Sequence, residues 1–177
     1  TIKEESARLI SLIDDIMRLS QLDESTIVQE KGVIDLWEIT QEAVMRLSRK
    51  AQENEVELKC VGTSAVMKGV DYIADEIVYN LCENAIKYNH SGGQVTVTAY
   101  QKEKHVYLSV EDTGSGIPEE LRERVFEPFF RVDKSRSREL GGVGLGLALV
   151  YEIVRVHDGN IVIRDNPSGG TVFEVIF

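Results

Sequence analysis

Two asparagines stand one helical turn apart in the run Asn80-Leu-Cys-Glu-Asn84-Ala-Ile-Lys87-Tyr88, with a lysine three residues on. Asparagine has low helix propensity and competes for the backbone, so a pair of them along one helix face is a poor choice for an ordinary solvated surface. An amide oxygen is a neutral hard ligand that can hold Mg²⁺ while leaving the ion's charge free for phosphate oxygens. Lys87 can supply a point charge to the same phosphates. A plain amphipathic helix with a solvated polar row would use the same residues, and the run alone leaves both readings open.

Further on, Asp112-Thr-Gly114-Ser-Gly116-Ile-Pro follows a strand-like segment. Two glycines at that spacing allow positive φ and let the backbone approach a flat ring. A carboxylate beside them can accept a hydrogen bond from the exocyclic amine of adenine, although Asp-Thr-Gly also occurs in ordinary turns. Gly142-Val-Gly144-Leu-Gly146-Leu opens a helix, where unpaired N–H groups and the positive end of the dipole suit a phosphate. Tight packing is the other use of glycine at a helix start. The run follows a loop rather than a strand and lacks a Gly-Lys-Ser/Thr, so it is neither a dinucleotide fingerprint nor a P-loop. Between Phe126-Glu-Pro-Phe129-Phe130-Arg131 and Gly141 lie Lys134, Arg136 and Arg138 with few apolar anchors. A basic segment of that kind is expected to be a lid that orders over an anion, with Phe126, Phe129 and Phe130 packed at its base.

These groups need elements to position them. On a wheel of about 100° per residue, Ala74, Ile77, Val78, Leu81, Cys82, Ala85 and Ile86 form a buried arc, and Glu76, Asn80, Asn84 and Lys87 line up beside it. A helix is therefore expected over 71–89. Further helices are expected at 37–53 and 145–157, and strands at 33–36, 56–60, 65–68, 94–100, 105–110, 160–164 and 171–177. The pair 94–100 and 105–110, joined by a polar turn, reads as a hairpin. Hairpins mixed with helices favour a two-layer α/β sandwich, a mixed and mostly antiparallel sheet covered on one face by helices. Ahead of it, Leu9, Leu12, Ile13, Ile16, Met17, Leu19 and Leu22 recur at helical spacing, which predicts one long amphipathic helix over 1–24 and a polar linker over 25–32.

The four stretches, in their order and on these elements, resemble the N, G1, F and G2 boxes of sensor histidine kinases, over residues 33–177. Residues 8–23 resemble the second helix of that family's dimerisation hairpin. The resemblance implies a Bergerat-type ATP-binding fold of the GHKL group, binding ATP and Mg²⁺. It makes Asn84 the Mg²⁺ ligand, with Asn80 supporting the metal or its water, and brings Lys87 and Tyr88 to the nucleotide. Asp112, Gly114 and Gly116 would cradle the base, and Gly142, Gly144, Leu145 and Gly146 the phosphates. Arg131 matches the lid arginine that would stabilise the transferred phosphoryl group, so that Asn80, Asn84, Lys87 and Arg131 form the catalytic set. The implied partners are the chain's own dimerisation hairpin, in a homodimer of the full-length protein, and a response-regulator receiver domain. The implied setting is the cytoplasmic part of an inner-membrane sensor.

His90, His105 and His157 all lack the His-Glu-X-Arg-Thr-Pro-like surroundings of that family's phosphoacceptor, so the acceptor helix is expected to lie outside this sequence. A formal net charge of −10 argues against a nucleic-acid surface, which needs clustered Lys and Arg. Cys60 and Cys82 have no metal-ligand spacing and read as reduced, buried thiols. Two rival classes remain: another ATPase or serine kinase on the same fold, and a nucleotide-sensing module without catalysis. ATPases of that group use a Glu to activate water where this chain has Asn80, and the four intact boxes disfavour decay.

Overall fold

A computed structural model describes residues 1–22, 30–135, 140 and 144–177. The elements in chain order are α1 (Ile2–Gln21), β1 (Gly32–Asp35), α2 (Leu36–Glu53), β2 (Glu57–Gly62), β3 (Val66–Gly69), α3 (Asp71–Lys87), β4 (Gln94–Lys102) and β5 (His105–Asp112). Two 3-10 turns (Glu119–Leu121 and Arg124–Phe126), α4 (Gly146–Val156), β6 (Asn160–Asp165) and β7 (Thr171–Ile176) follow. The five-stranded sheet runs β2-β4-β5-β7-β6; β2 lies parallel to β4 and the other pairs are antiparallel. β1 and β3 form a separate antiparallel pair.

The period of two along each strand decides which face is covered. Val95, Val97 and Ala99 of β4, Val106, Leu108 and Val110 of β5, and Phe173 and Val175 of β7 are buried beneath α2, α3 and α4. The alternate residues of β4 and β5 carry Thr96, Thr98, Tyr100, Tyr107 and Ser109 on the opposite, half-exposed face, where Tyr100 and Tyr107 stack at 5.0 Å. One covered face and one wet face make the two-layer sandwich that the sequence predicts.

α3 runs through the middle of the helical layer and buries Ile73, Ala74, Ile77, Val78, Leu81, Cys82, Ala85 and Ile86. Fully burying a large aliphatic side chain contributes about 1.5–3 kcal/mol. Several such residues on one arc fix the rotation of the helix, and with it the direction of the polar row. α2 starts on Asp35, whose carboxylate accepts the Trp37 N–H at 3.0 Å and the Ala65 N–H at 2.8 Å, tying the helix start to the β2–β3 connection.

α1 has no fully buried residue. Its half-buried positions Arg8, Leu12, Asp15, Leu19 and Leu22 fall on one stripe that faces the domain, while Leu9, Ile10, Ile13, Ile16 and Met17 stay exposed. Leu19 and Leu22 pack against the core.

Candidate functional site

The polar row of α3 opens into a cavity of about 640 Å³. Asn80, Asn84, Lys87 and Tyr88 line it from α3, Asp112 and Gly116 from the end of β5 onward, Arg131 from the following segment, and Gly144, Leu145 and Gly146 from the start of α4. Ten of the sequence-predicted site residues thus converge on one space. Gly114 sits behind the wall: a Cβ built there would meet the Tyr88 carbonyl oxygen at 2.6 Å, so the bare backbone lets the β5 loop close on the end of α3. Gly142, Arg136 and Arg138 lie outside the described residues.

Asp112 occupies the position where the β5 alternation calls for another core residue after Val106, Leu108 and Val110. Only 8% of it is exposed. Its Oδ1 accepts the Gly114 N–H at 2.8 Å and the Thr171 N–H at 3.2 Å. Burial pushes the carboxyl above the ordinary aspartate range, while those two N–H groups pull it back. The Asp112 carbonyl oxygen in turn accepts from Asn166 Nδ2 at 2.8 Å. Asn166, Gly170 and Thr171 are site-building residues that sequence reasoning missed. Asn166-Pro-Ser-Gly-Gly170 signals a turn by its composition but carries no sign that the turn folds back on Asp112.

Along α3, Asn80 Nδ2 donates to the Glu76 carbonyl oxygen at 2.7 Å and to the Glu76 carboxylate at 3.3 Å. Its Oδ1 looks across to α4, where a Cβ on Gly146 would approach it to 3.2 Å. α4 begins at Leu145 without a side-chain cap, so its first N–H groups and its dipole meet the cavity. Gly144 has φ +82°, and its carbonyl oxygen accepts the Phe129 N–H at 2.9 Å.

The cavity lining includes the cationic side chains of Arg8, Lys50, Lys87 and Arg131 beside the carboxylates of Asp15, Glu83, Asp112 and Asp133. Burial pulls Lys87 below the ordinary lysine range; Glu83 opposes this, while Arg131, Lys50 and Arg8 push further down. Lys50 pairs with Glu83. Arg8, Ser11 and Asp15 bring α1 to the cavity rim, which the sequence reading did not foresee.

The base of the predicted lid differs in one respect from expectation. Phe126 packs on Tyr151 and Phe173 at ring distances of 5.4 and 6.5 Å, and the Arg124 guanidinium lies 4.5 Å from the Phe130 ring. Phe129, however, is 57% exposed with φ +67°. It anchors the segment through its backbone N–H to Gly144, not through its ring. His157 caps α4 and is buried, as a helix-terminal residue rather than a cavity residue.

These donors fit a magnesium nucleotide. Two amide-bearing side chains on one face, a buried carboxylate, cationic side chains and an uncapped helix start surround a space large enough for a nucleotide. Among the described residues no group of three or more His, Cys, Asp or Glu could hold a metal by itself. A divalent ion here would be shared between the asparagine amides and phosphate oxygens.

Residues 70–177 match the family described as histidine kinase-, DNA gyrase B-, and HSP90-like ATPase. The sensor-like histidine kinase SenX3 of Mycolicibacterium smegmatis is 34% identical over 174 residues, covering 96% of this chain and 44% of the relative. The alginate biosynthesis sensor protein KinB of Pseudomonas aeruginosa is 34% identical over 178 residues, covering 99% and 29%. This chain therefore spans less than half the length of either. Among solved structures, the mycobacterial sensor histidine kinase MprB superposes with a TM-score of 0.73 at 30% identity, covering 83% of this chain and 96% of that one. Full-length ShkA in complex with AMPPNP superposes with a TM-score of 0.83 at 25% identity, covering 97% of this chain and 36% of that one.

Proposed function

The chain belongs to the histidine kinase-, DNA gyrase B-, and HSP90-like ATPase family, homologous to the catalytic domains of sensor histidine kinases, and from that membership we propose a specific phosphotransfer. It transfers the γ-phosphoryl group of ATP to a histidine on a dimerisation hairpin, for relay to a response-regulator receiver domain. The observation that carries the reading is the row of Asn80, Asn84 and Lys87 on α3, opening into the same cavity as the buried Asp112.

Asp112 accepts the exocyclic amine of adenine, and the glycines at 114 and 116 leave room for the ring. Lys87 and Arg131 neutralise and orient the phosphates and Tyr88 contacts the nucleotide, helped by Gly144, Leu145 and Gly146 at the start of α4 and by Gly142, which lies outside the described residues. Asn84, with Asn80 beside it, would hold Mg²⁺, which when bound spreads the charge of the phosphate oxygens and fixes their geometry. Phosphoryl transfer asks a protein mainly for such positioning and neutralisation. Asn80 stands where a water-activating carboxylate would favour hydrolysis, which supports transfer to a protein acceptor over ATPase chemistry.

In this reading residues 1–24 are the second helix of the hairpin, 25–32 a linker and 33–177 the catalytic domain, of which 23–29, 136–139 and 141–143 lie outside the described residues. The exposed apolar stripe of α1 suits packing in a hairpin and homodimer. Among the described residues no helix is long and apolar enough to cross a membrane; a membrane-anchored parent with this domain in the cytoplasm is part of the proposal.

The test is transfer from γ-labelled ATP with Mg²⁺. The chain alone should bind nucleotide without labelling His90, His105 or His157, and adding the parent's dimerisation hairpin should produce acid-labile label on the hairpin. Robust acid-labile label on this chain alone, or none on the hairpin, would overturn the reading.

A further inference from the structure

Glu76 lies one turn before Asn80, on the same row but outside the roles assigned above. Its two carboxylate oxygens face different partners. Oε1 receives the Arg18 guanidinium of α1, and Oε2 accepts from Asn80 Nδ2 at 3.3 Å. Asn80 Nδ2 also reaches the Glu76 carbonyl oxygen at 2.7 Å. Both acceptors want the NH₂ end of the amide, so the amide cannot flip without placing its oxygen against a carboxylate. The Oδ1 end is left facing the start of α4, where the helix dipole is positive and Gly146 leaves just enough room for it.

The Arg18–Glu76 pair lies at the surface, with side chains 52% and 25% exposed. A pair so placed contributes little to stability. Its effect is geometric: with Oε1 held by Arg18, the carboxylate is turned so that Oε2 meets Asn80. Arg18 is itself seated by Leu19 and Leu22, which pack α1 onto the core. Glu83, the other carboxylate on this side of α3, is engaged by Lys50 and does not compete for Arg18.

We propose that Glu76 is a positioning residue that presents the Asn80 amide oxygen to the metal–phosphate side of the cavity, and that Arg18 clamps it, so that the seat of α1 and the magnesium dependence of nucleotide binding are coupled. The inference rests on Asn80 and Asn84 being the magnesium side of the site. By linkage, magnesium nucleotide then steadies the docked α1 as much as the docked α1 favours magnesium nucleotide.

The test measures the Mg²⁺ concentration needed for half-maximal binding of a non-hydrolysable ATP analogue, alongside metal-free nucleotide affinity. Glu76→Ala should raise the Mg²⁺ requirement by about tenfold or more, as lost outer partners of metal ligands do, and leave metal-free affinity unchanged. Arg18→Ala should raise it by about threefold. Glu76→Gln, which keeps one acceptor for Asn80 and gives up Arg18, should match Arg18→Ala. In the double variant the Arg18 substitution should add nothing to Glu76→Ala. Without metal or nucleotide, the side-chain amide protons of Asn80 should exchange slowly in the parent and fast in Glu76→Ala. Equal loss of metal-free and metal-dependent affinity, additive effects, or unchanged Asn80 amide exchange would each overturn the proposal. Asn84→Ala separates the two levels. If it abolishes magnesium dependence while Glu76→Ala leaves the Mg²⁺ requirement unchanged, only this inference fails; if Asn84→Ala changes nothing, the reading of the α3 row fails with it.

Discussion

Gly170 lies so close to Asp112 that a Cβ built on it would meet the Asp112 carbonyl oxygen at 2.2 Å and its Oδ1 at 2.7 Å. No side chain fits there, and the φ of +97° would strain one in any case. The turn between β6 and β7 therefore acts as the back wall of Asp112. Replacement of Gly170 by Ala should destabilise the domain by about 2–4 kcal/mol, from strain and overlap together, and weaken ATP binding because Asp112 must shift. Urea unfolding and calorimetry on the one variant check both; unchanged stability would mean that the turn yields freely.

Asp112→Asn keeps the shape and removes the full acceptor character. ATP affinity should fall by about 1–3 kcal/mol, with the preference over GTP reduced. In the parent, burial raises the carboxyl pKa, and the ionised form is the stronger acceptor for the adenine amine. Affinity should therefore drop on acidification from a higher pH than an ordinary aspartate would give, and the Asn variant should lack that component. Equal competition by GTP and ATP in the parent would show that Asp112 does not read the base.

Asn84→Ala removes the amide placed to hold magnesium. Nucleotide affinity in Mg²⁺ should fall by more than the about 10–100-fold that losing an outer partner costs, with the thermal midpoint unchanged. Asn84 is only half-buried, beside rather than within the apolar arc. Unchanged affinity would sink the magnesium assignment.

His157 predicts a pH effect away from the cavity. Its Nδ1 donates to the Ile153 carbonyl at 2.8 Å and its Nε2 accepts the Val70 N–H at 3.4 Å, an arrangement that needs the neutral ring. Burial, helped by Lys31 and opposed by the Ile153 bond and Asp158, holds its pKa below the ordinary 6.5. The unfolded chain then takes up a proton before the folded one does. This contribution to stability is complete above about pH 6.5 and is lost as pH falls toward the depressed folded value, at no more than about 1.4 kcal/mol per pH unit. Unfolding of the parent and of His157→Gln across pH 5–7.5 checks it: the variant should show the shallower slope.

The sequence by itself determined the α3 helix and its polar row, because a 3.6-residue period with seven apolar positions leaves one rotation that buries them, and that rotation places Asn80, Asn84 and Lys87 together. The sheet was legible for the same reason: alternation along β4 and β5 marks one inward face, although the structure carries β5 two residues past the expected end, which puts Asp112 on that face. What lay beyond local pattern was everything set by contact between distant segments. Asn166, Gly170 and Thr171 close around Asp112 only because β7 pairs with β5. Phe129 resembles its packed neighbours in sequence but is turned outward by the positive φ that lets its N–H reach Gly144. The face of α1 carrying Arg18 meets Glu76 although α1's most apolar stripe points elsewhere, an outcome decided by where Leu19 and Leu22 find the core. Periodicity fixes which side of an element is inward; which distant residue waits on that side is fixed only when the elements pack.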